Sequence, residues 1–230
     1  MARPTKKEQI PKLAEAIKDA AWRQITNKGA SALSLRAIAR DVGITAPAIY
    51  NYFRRRDDLV TALIVDAFTS LGESQREASD SLPKSELSGR FSALGLAYRA
   101  WAITYPQRYQ LIFGTPIPGY EAPADITVPA ASWSLMPLLE VIHALHDAGR
   151  LKNEYPSMTP ALLEMMHTWS QFADHTPSEV LYLGLVIWSR VHGLVMLEIG
   201  NQMPSFITDP GEIFNREIAA FQRELTLSTN

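Results

Sequence analysis

The sequence predicts an all-α chain of about nine helices, and three observations carry that expectation. Apolar residues recur at i, i+3 and i+4 in almost every segment. No run of alternating β-branched residues stands out. Gly29, Gly43 and Pro106 stand where the helical periodicity stops, as helix-ending residues do.

The first helix spans roughly residues 11–28, with Leu13, Ile17, Ala20, Ala21 and Ile25 on one face and Gly29 behind it. In the second, Ser34 is positioned as the cap, Leu35, Ile38 and Ala39 share a face, and Gly43 supplies a positive φ at the end. Thr45 is expected to cap a third helix with apolar positions Ala46, Ile49 and Phe53. Pro47 falls in its first turn, where the missing N–H has no helical partner anyway. Two short helices joined by a tight turn form a helix-turn-helix, whose second helix can enter the DNA major groove.

A fourth helix starts near Asp57, whose carboxylate, with that of Asp58, suits the positive end of the helix dipole. It runs on through Leu71. Helices over 87–105 and 107–113 follow, separated by Pro106. Residues 114–129 are rich in proline and glycine (Pro116, Pro118, Pro123, Pro129, Gly114, Gly119) and read as a loop. Further helices are expected at about 131–148, 159–172, 178–200 and 211–225. Three helices make a head, residues 1–56, and the remainder a body, residues 57–230.

Charge separates the two parts. Residues 1–56 hold twelve Lys or Arg against four acids, a net +8, whereas the whole chain carries −2, leaving −10 on the body. A basic head on an acidic body fits a phosphate-binding module joined to a domain that does not touch DNA. The 230 residues contain no cysteine, which excludes disulfides, thiolate metal sites and cysteine nucleophiles. No signal peptide is visible. The apolar segment 180–199 is interrupted by Ser189, Arg190, His192 and Glu198, so it reads as a buried helix rather than a membrane span. The expectation is a cytoplasmic protein without a membrane partner.

The head resembles the TetR/AcrR family of bacterial one-component regulators. The pattern is carried by Ser34, Ile38-Ala39, Val42-Gly43-Ile44, Thr45, Tyr50, Asn51, Tyr52-Phe53, Arg56 and Asp57-Asp58-Leu59. The body is similar to the branch with a Trp-x-x-x-His-Gly motif, here Trp188, His192 and Gly193. The resemblance implies a homodimeric repressor that binds a palindromic DNA operator and is released by a small-molecule effector, and the aromatic and Met residues of the body favour a mostly apolar one. A constitutive DNA-binding regulator is the alternative. An all-α enzyme has little support, since no Glu-x-x-His pair, phosphate loop or Gly-x-Ser-x-Gly elbow occurs.

By resemblance and chemistry, Thr45, Tyr50, Tyr52 and Arg56 contact phosphates, and Arg36 is the candidate for bidentate pairing to guanine. Ser34 and Asn51 belong to the same surface, and Arg3, Lys6 and Lys7 form a basic arm. With Ala46, Pro47 and Ala48 at the recognition tip, methyl contacts and shape readout carry more of the specificity. Tyr50 and Tyr52 have a second reading as half-buried packing residues.

In the body the resemblance implies a ligand pocket. Its candidates are Trp101, Tyr105, Tyr109, Phe113, Trp133, Met136, Met166, Trp169, Trp188 and His192, each of which could equally be plain core. Gly193 is expected to allow close helix approach beside His192. His143 and His146 stand at i, i+3 with no flanking acid beyond Asp147, so no metal site is expected at them or at His167, and no cofactor is implied. The dimer interface is expected on the last two helices, with Ile213, Ile218, Phe221 and Leu225 forming an outward apolar face on the final one.

Overall fold

The computed structural model describes residues 6–152, 157–171, 173 and 175–225. Among them it contains ten α-helices and one 3-10 turn, and no strand. The helices are α1 (Lys6–Lys28), α2 (Leu35–Val42), α3 (Ala46–Ile49), α4 (Arg56–Asp80) and α5 (Leu87–Thr104). They continue with α6 (Pro106–Phe113), α7 (Ala124–Asp147), α8 (Pro160–Ser170), α9 (Ser178–Ile199) and α10 (Pro210–Leu225). The fold class is as the sequence indicates, and the departures are local. Helix α1 begins five residues before Pro11, so that proline lies inside it. Helix α7 begins at Ala124 within the supposed loop and contains Pro129 and Pro137. Each interior proline forfeits one i→i−4 bond. In α7 the buried side chains of Thr127, Ser134, Leu138, Leu139, Val141, Ile142 and Leu145 offset that loss.

The chain forms two compact units, one of Met1–Phe68 with Tyr105–Ala130, the other of Thr69–Thr104 with Ala131–Asn230. In the first, α1 packs on α2 and α2 on α3 around Ile17, Ala21, Ile25, Leu35, Ile38 and Ile49, all at most 6% exposed. Helix α6 belongs here too. Tyr109 is fully buried and meets the Phe113 ring at 5.0 Å, and Phe113 meets Phe68 edge-on at 5.6 Å. The Arg108 guanidinium lies over both the Trp22 ring of α1 (5.2 Å) and Tyr105 (4.6 Å). Thr61 and Tyr120 share a hydroxyl hydrogen bond of 2.9 Å.

In the second unit α10 packs on α5 and α9, and α8 on α9. Phe214, Ile218 and Phe221 are nearly fully buried within this one chain, Ile218 against Gly95 and Phe221 edge-on to Phe91 at 6.4 Å. This corrects the expected outward face on α10. Its apolar stripe turns inward, because α5 supplies the apolar partner, and Glu212, Asn215, Arg216 and Arg223 are left exposed. Leu225 lies outside the residues whose side chains are described.

Helices α7 and α9 are long and apolar enough, by length and composition, to cross a membrane. Within the second unit, however, α9 buries Val180, Leu181, Leu183, Ile187, Val191 and Val195. Its Glu198 pairs with Arg99 at 2.6 Å and its Arg190 with Glu217, as in the core helix of a globular protein.

Candidate nucleic-acid interface

The helix-turn-helix is held by a few specific bonds. Ser34 caps α2, its Oγ accepting from the Ala37 N–H at 3.4 Å, and its own backbone N–H donates to Gln24 Oε1 of α1 at 2.6 Å. Gly43 closes α2 in the left-handed conformation, φ 76°, and returns its N–H to carbonyls of the last turn. Arg23 and Asp41 tie the ends of α1 and α2 together at 2.7 Å. Helix α3 has only four residues. It continues as a turn in which the Phe53 N–H donates to the Ile49 carbonyl at 3.0 Å. Thr45 stands at its N-cap position, yet the hydroxyl makes no capping bond, which leaves it exposed for another acceptor.

Most of the expected DNA-facing residues occupy the surface of this unit. Arg36, Thr45, Ala46, Pro47, Tyr50 and Asn51 are exposed, whereas Ile38, Ala39 and Ile49 beneath them are at most 1% exposed. Ser34, Ala48 and Tyr52 are half-buried. Lys6 and Lys7 fall in the first turn of α1 with side chains outside those described, and Arg3 lies outside the described residues.

Arg56 departs from the others. Its Nη2 donates to the Ala30 and Ser31 carbonyls at 3.1 and 3.4 Å, so the guanidinium is engaged with the connection between α1 and α2. Arg55 Nε and Nη2 both donate to Asp58 Oδ1, at 3.2 and 2.9 Å, and Asp58 Oδ2 accepts the Arg55 backbone N–H at 3.0 Å. These hydrogen bonds hold the Asp58 carboxyl below its ordinary range. Gln24 and the backward reach of Asp58 were missed in the sequence. Asp58 had a local signal, an acid three residues after the cap position, whereas the Gln24 partner is set by tertiary packing.

The ten ligand candidates are divided between the units. Tyr105, Tyr109 and Phe113 belong to the first, where Tyr109 is core and Tyr105 is 40% exposed. Trp101, Trp133, Met136, Met166, Trp169, Trp188 and His192 belong to the second. Trp101 is 4% exposed and its Nε1 donates to Ser70 at 3.0 Å. Met136, Met166 and Trp169 pack in one cluster with Leu139, Ala173 and Leu181. Trp133 is 42% exposed, with Arg76 over its ring at 4.7 Å. His192 stacks on Trp188 at 5.1 Å, and its Nδ1 lies 3.3 Å from the Tyr98 hydroxyl; burial lowers its pKa.

Among the described residues a Cβ added at Gly193 would meet nothing within 4 Å, so this glycine serves no close helix approach among them. A cavity of about 810 Å³ opens in the second unit between the C-terminal end of α7, α8 and the start of α9. It is lined by residues including His146, Leu151, Met158, Leu162, Tyr182 and Leu183, and by none of the ten candidates.

Comparison with known proteins identifies the family to which the helix-turn-helix belongs. Residues 17–63 match the family described as bacterial regulatory proteins, tetR family, and residues 91–221 match the tetracyclin repressor-like C-terminal domain. HTH-type transcriptional regulators of Mycobacterium tuberculosis and Mycobacterium bovis are each 32% identical over 85% of this chain and 84% of their own. The crystal structure of a regulatory protein, SCO4313, superposes with a TM-score of 0.78 at 36% identity, covering 94% of this chain and 98% of that one. A Rhodococcus sp. RHA1 protein of unknown function shares the fold, with a TM-score of 0.72 at 22% identity, over 94% of this chain and 96% of its own. The mycobacterial relatives are transcriptional regulators rather than enzymes. The chain belongs to the TetR family of transcriptional regulators and carries that family's DNA-binding domain at its N-terminal end.

Proposed function

We propose that this regulator is a cytoplasmic, homodimeric repressor that binds a palindromic operator and is released by a small, mostly apolar effector. In this division of labour, residues 1–56 read DNA and residues 57–230 bind the effector and the second subunit. The observation that carries the reading is the exposed set Arg36, Thr45, Pro47, Tyr50 and Asn51 above a buried Ile38–Ile49 core. A single short helix of this kind offers too few base contacts for a unique site. Two copies related by a two-fold axis double the contacts and require an inverted repeat. On α9 the exposed Leu185 and Leu197 are available for such a dimer contact.

Effector control rests on differential affinity. A ligand favouring the DNA-incompetent state by about 1–3 kcal/mol lowers operator affinity by roughly 5- to 150-fold. The aromatic and Met side chains of the second unit favour an apolar or aromatic compound over a sugar phosphate. Helix α4 is continuous and has residues in both units, so it is the proposed carrier of the signal.

The test is selection of bound genomic fragments followed by footprinting. An inverted repeat with half-site centres about 34–36 Å apart is expected. Protection of a single unrepeated site, or none, would overturn the palindromic reading. The genes beside the operator then supply candidate effectors for release assays.

A further inference from the structure

Three consecutive arginines, Arg54, Arg55 and Arg56, follow the recognition helix, and the structure gives each a different task. Arg55 is committed to Asp58 through its side chain, at 2.9 Å, and its backbone. Arg56 turns back from the first residue of α4 onto the 3-10 turn at residues 30–32, where one nitrogen serves the carbonyls of both Ala30 and Ser31. Its side chain is 30% exposed, and its Nε is enclosed without a partner among the described residues. Of its donors, Nη2 is taken by these carbonyls, Nε is enclosed, and Nη1 lies 3.9 Å from Asp57 Oδ1, whose negative charge disfavours a phosphate there. Arg54 is exposed and makes no hydrogen bond or ion pair with any described residue, only a longer-range attraction to Asp58. It can be placed against a phosphate without breaking anything.

The turn held by Arg56 is the one that leads into α2. Leu33 donates back to the Ala30 carbonyl at 3.3 Å, and the next residue, Ser34, is held by Gln24 from the other side. Arg56 and Gln24 therefore clamp the residues just before α2, whose second position is Arg36. We propose that Arg54, not Arg56, is the arginine of this triplet that neutralises a DNA phosphate. Arg56 is instead a positioning residue that fixes the connection into α2. This rests on the DNA-binding reading of the head.

The experiment uses the full chain and a mixed-sequence duplex, because phosphate contacts need no operator. The slope of log affinity against log salt counts them, at about 0.9 per contact. Arg54→Gln is expected to lower that slope by about one and to leave hydrogen exchange over residues 29–34 unchanged. Arg56→Gln is expected to keep the wild-type slope while speeding exchange of the Ala32 and Leu33 amides. A lowered slope in the Arg56 variant, an unchanged slope in the Arg54 variant, or unaltered exchange in Arg56→Gln would each overturn the assignment. A wild-type chain with no salt-dependent binding would overturn the DNA-binding reading itself, and is recognised before any variant is compared.

Discussion

His192 lies half-buried on α9, stacked on the Trp188 ring and within reach of the Tyr98 hydroxyl, and burial holds its imidazole below the ordinary value of 6.5. With a lowered pKa in the folded state, the unfolded chain binds the proton more readily between the two values. This contribution to stability is fully present above about 6.5 and is lost as pH falls through the folded pKa. Thermal unfolding from pH 8 to pH 5 should show a decline in Tm that is shallower in His192→Gln. Equal slopes would show that burial of this ring costs nothing on protonation.

Arg36→Ala makes a separate residue-scale prediction. Loss of one base contact should cost about 1–3 kcal/mol on the operator and much less on random DNA. Competition binding with both duplexes reads this directly; equal losses would remove the base-reading role. Single residues with local partners were legible in the sequence, as Ser34 bonding Ala37 and Gly43 at positive φ show. Gln24 and Arg56 were not, since their partners lie 10 and about 26 residues away and are chosen by how α1, α2 and α4 pack.

Among elements, α10 shows what periodicity can and cannot convey. Its pattern announces an apolar face but is silent about whether a second subunit or the same chain covers it. Here the same chain does, through Phe91 and Gly95. The early start of α7 was hidden for a different reason: Pro123, Pro129 and the neighbouring glycines imitate a loop, and only burial of the helix reveals that packing prevails. Packing of α7 on α4 is tight where a Cβ at Gly72 would sit 2.8 Å from the Trp133 ring and 3.1 Å from the Ser134 backbone. Nearby, Gln75 of α4 donates to the Ser134 carbonyl at 2.8 Å. Alanine normally gains about 1 kcal/mol over glycine in a helix interior, whereas overpacking costs about 1–3 kcal/mol. Gly72→Ala should therefore lower Tm, while Gly193→Ala, with open space around it, should hold or raise it. A Gly72→Ala protein as stable as wild type would show that accommodating the methyl costs only about the 1 kcal/mol that alanine gains in a helix.

At the scale of the whole molecule, the charge pattern was legible from composition: a +8 head and a −10 remainder. The compact units were not, because one of them joins residues 1–68 to residues 105–130. No local rule predicts that Arg108 will lie over Trp22, or that Tyr120 will share a hydrogen bond with Thr61. A fragment ending at Phe68 would lose the fully buried Tyr109 and the Phe113 edge contact, while residues such as Phe68 and Trp22 would gain solvent. It should melt broadly and below a covalently linked fragment that includes residues 105–130, as measured by far-UV circular dichroism; equal cooperative melts would show that the first 68 residues stand alone. The same feature bears on how such regulators exchange operators during evolution. A recombination event with a single crossover between α4 and α5 would deliver a foreign head lacking its own Tyr105–Ala130 segment. The packing of this unit is therefore encoded in two separated stretches of gene, and moving all of it to another chain takes more than one crossover.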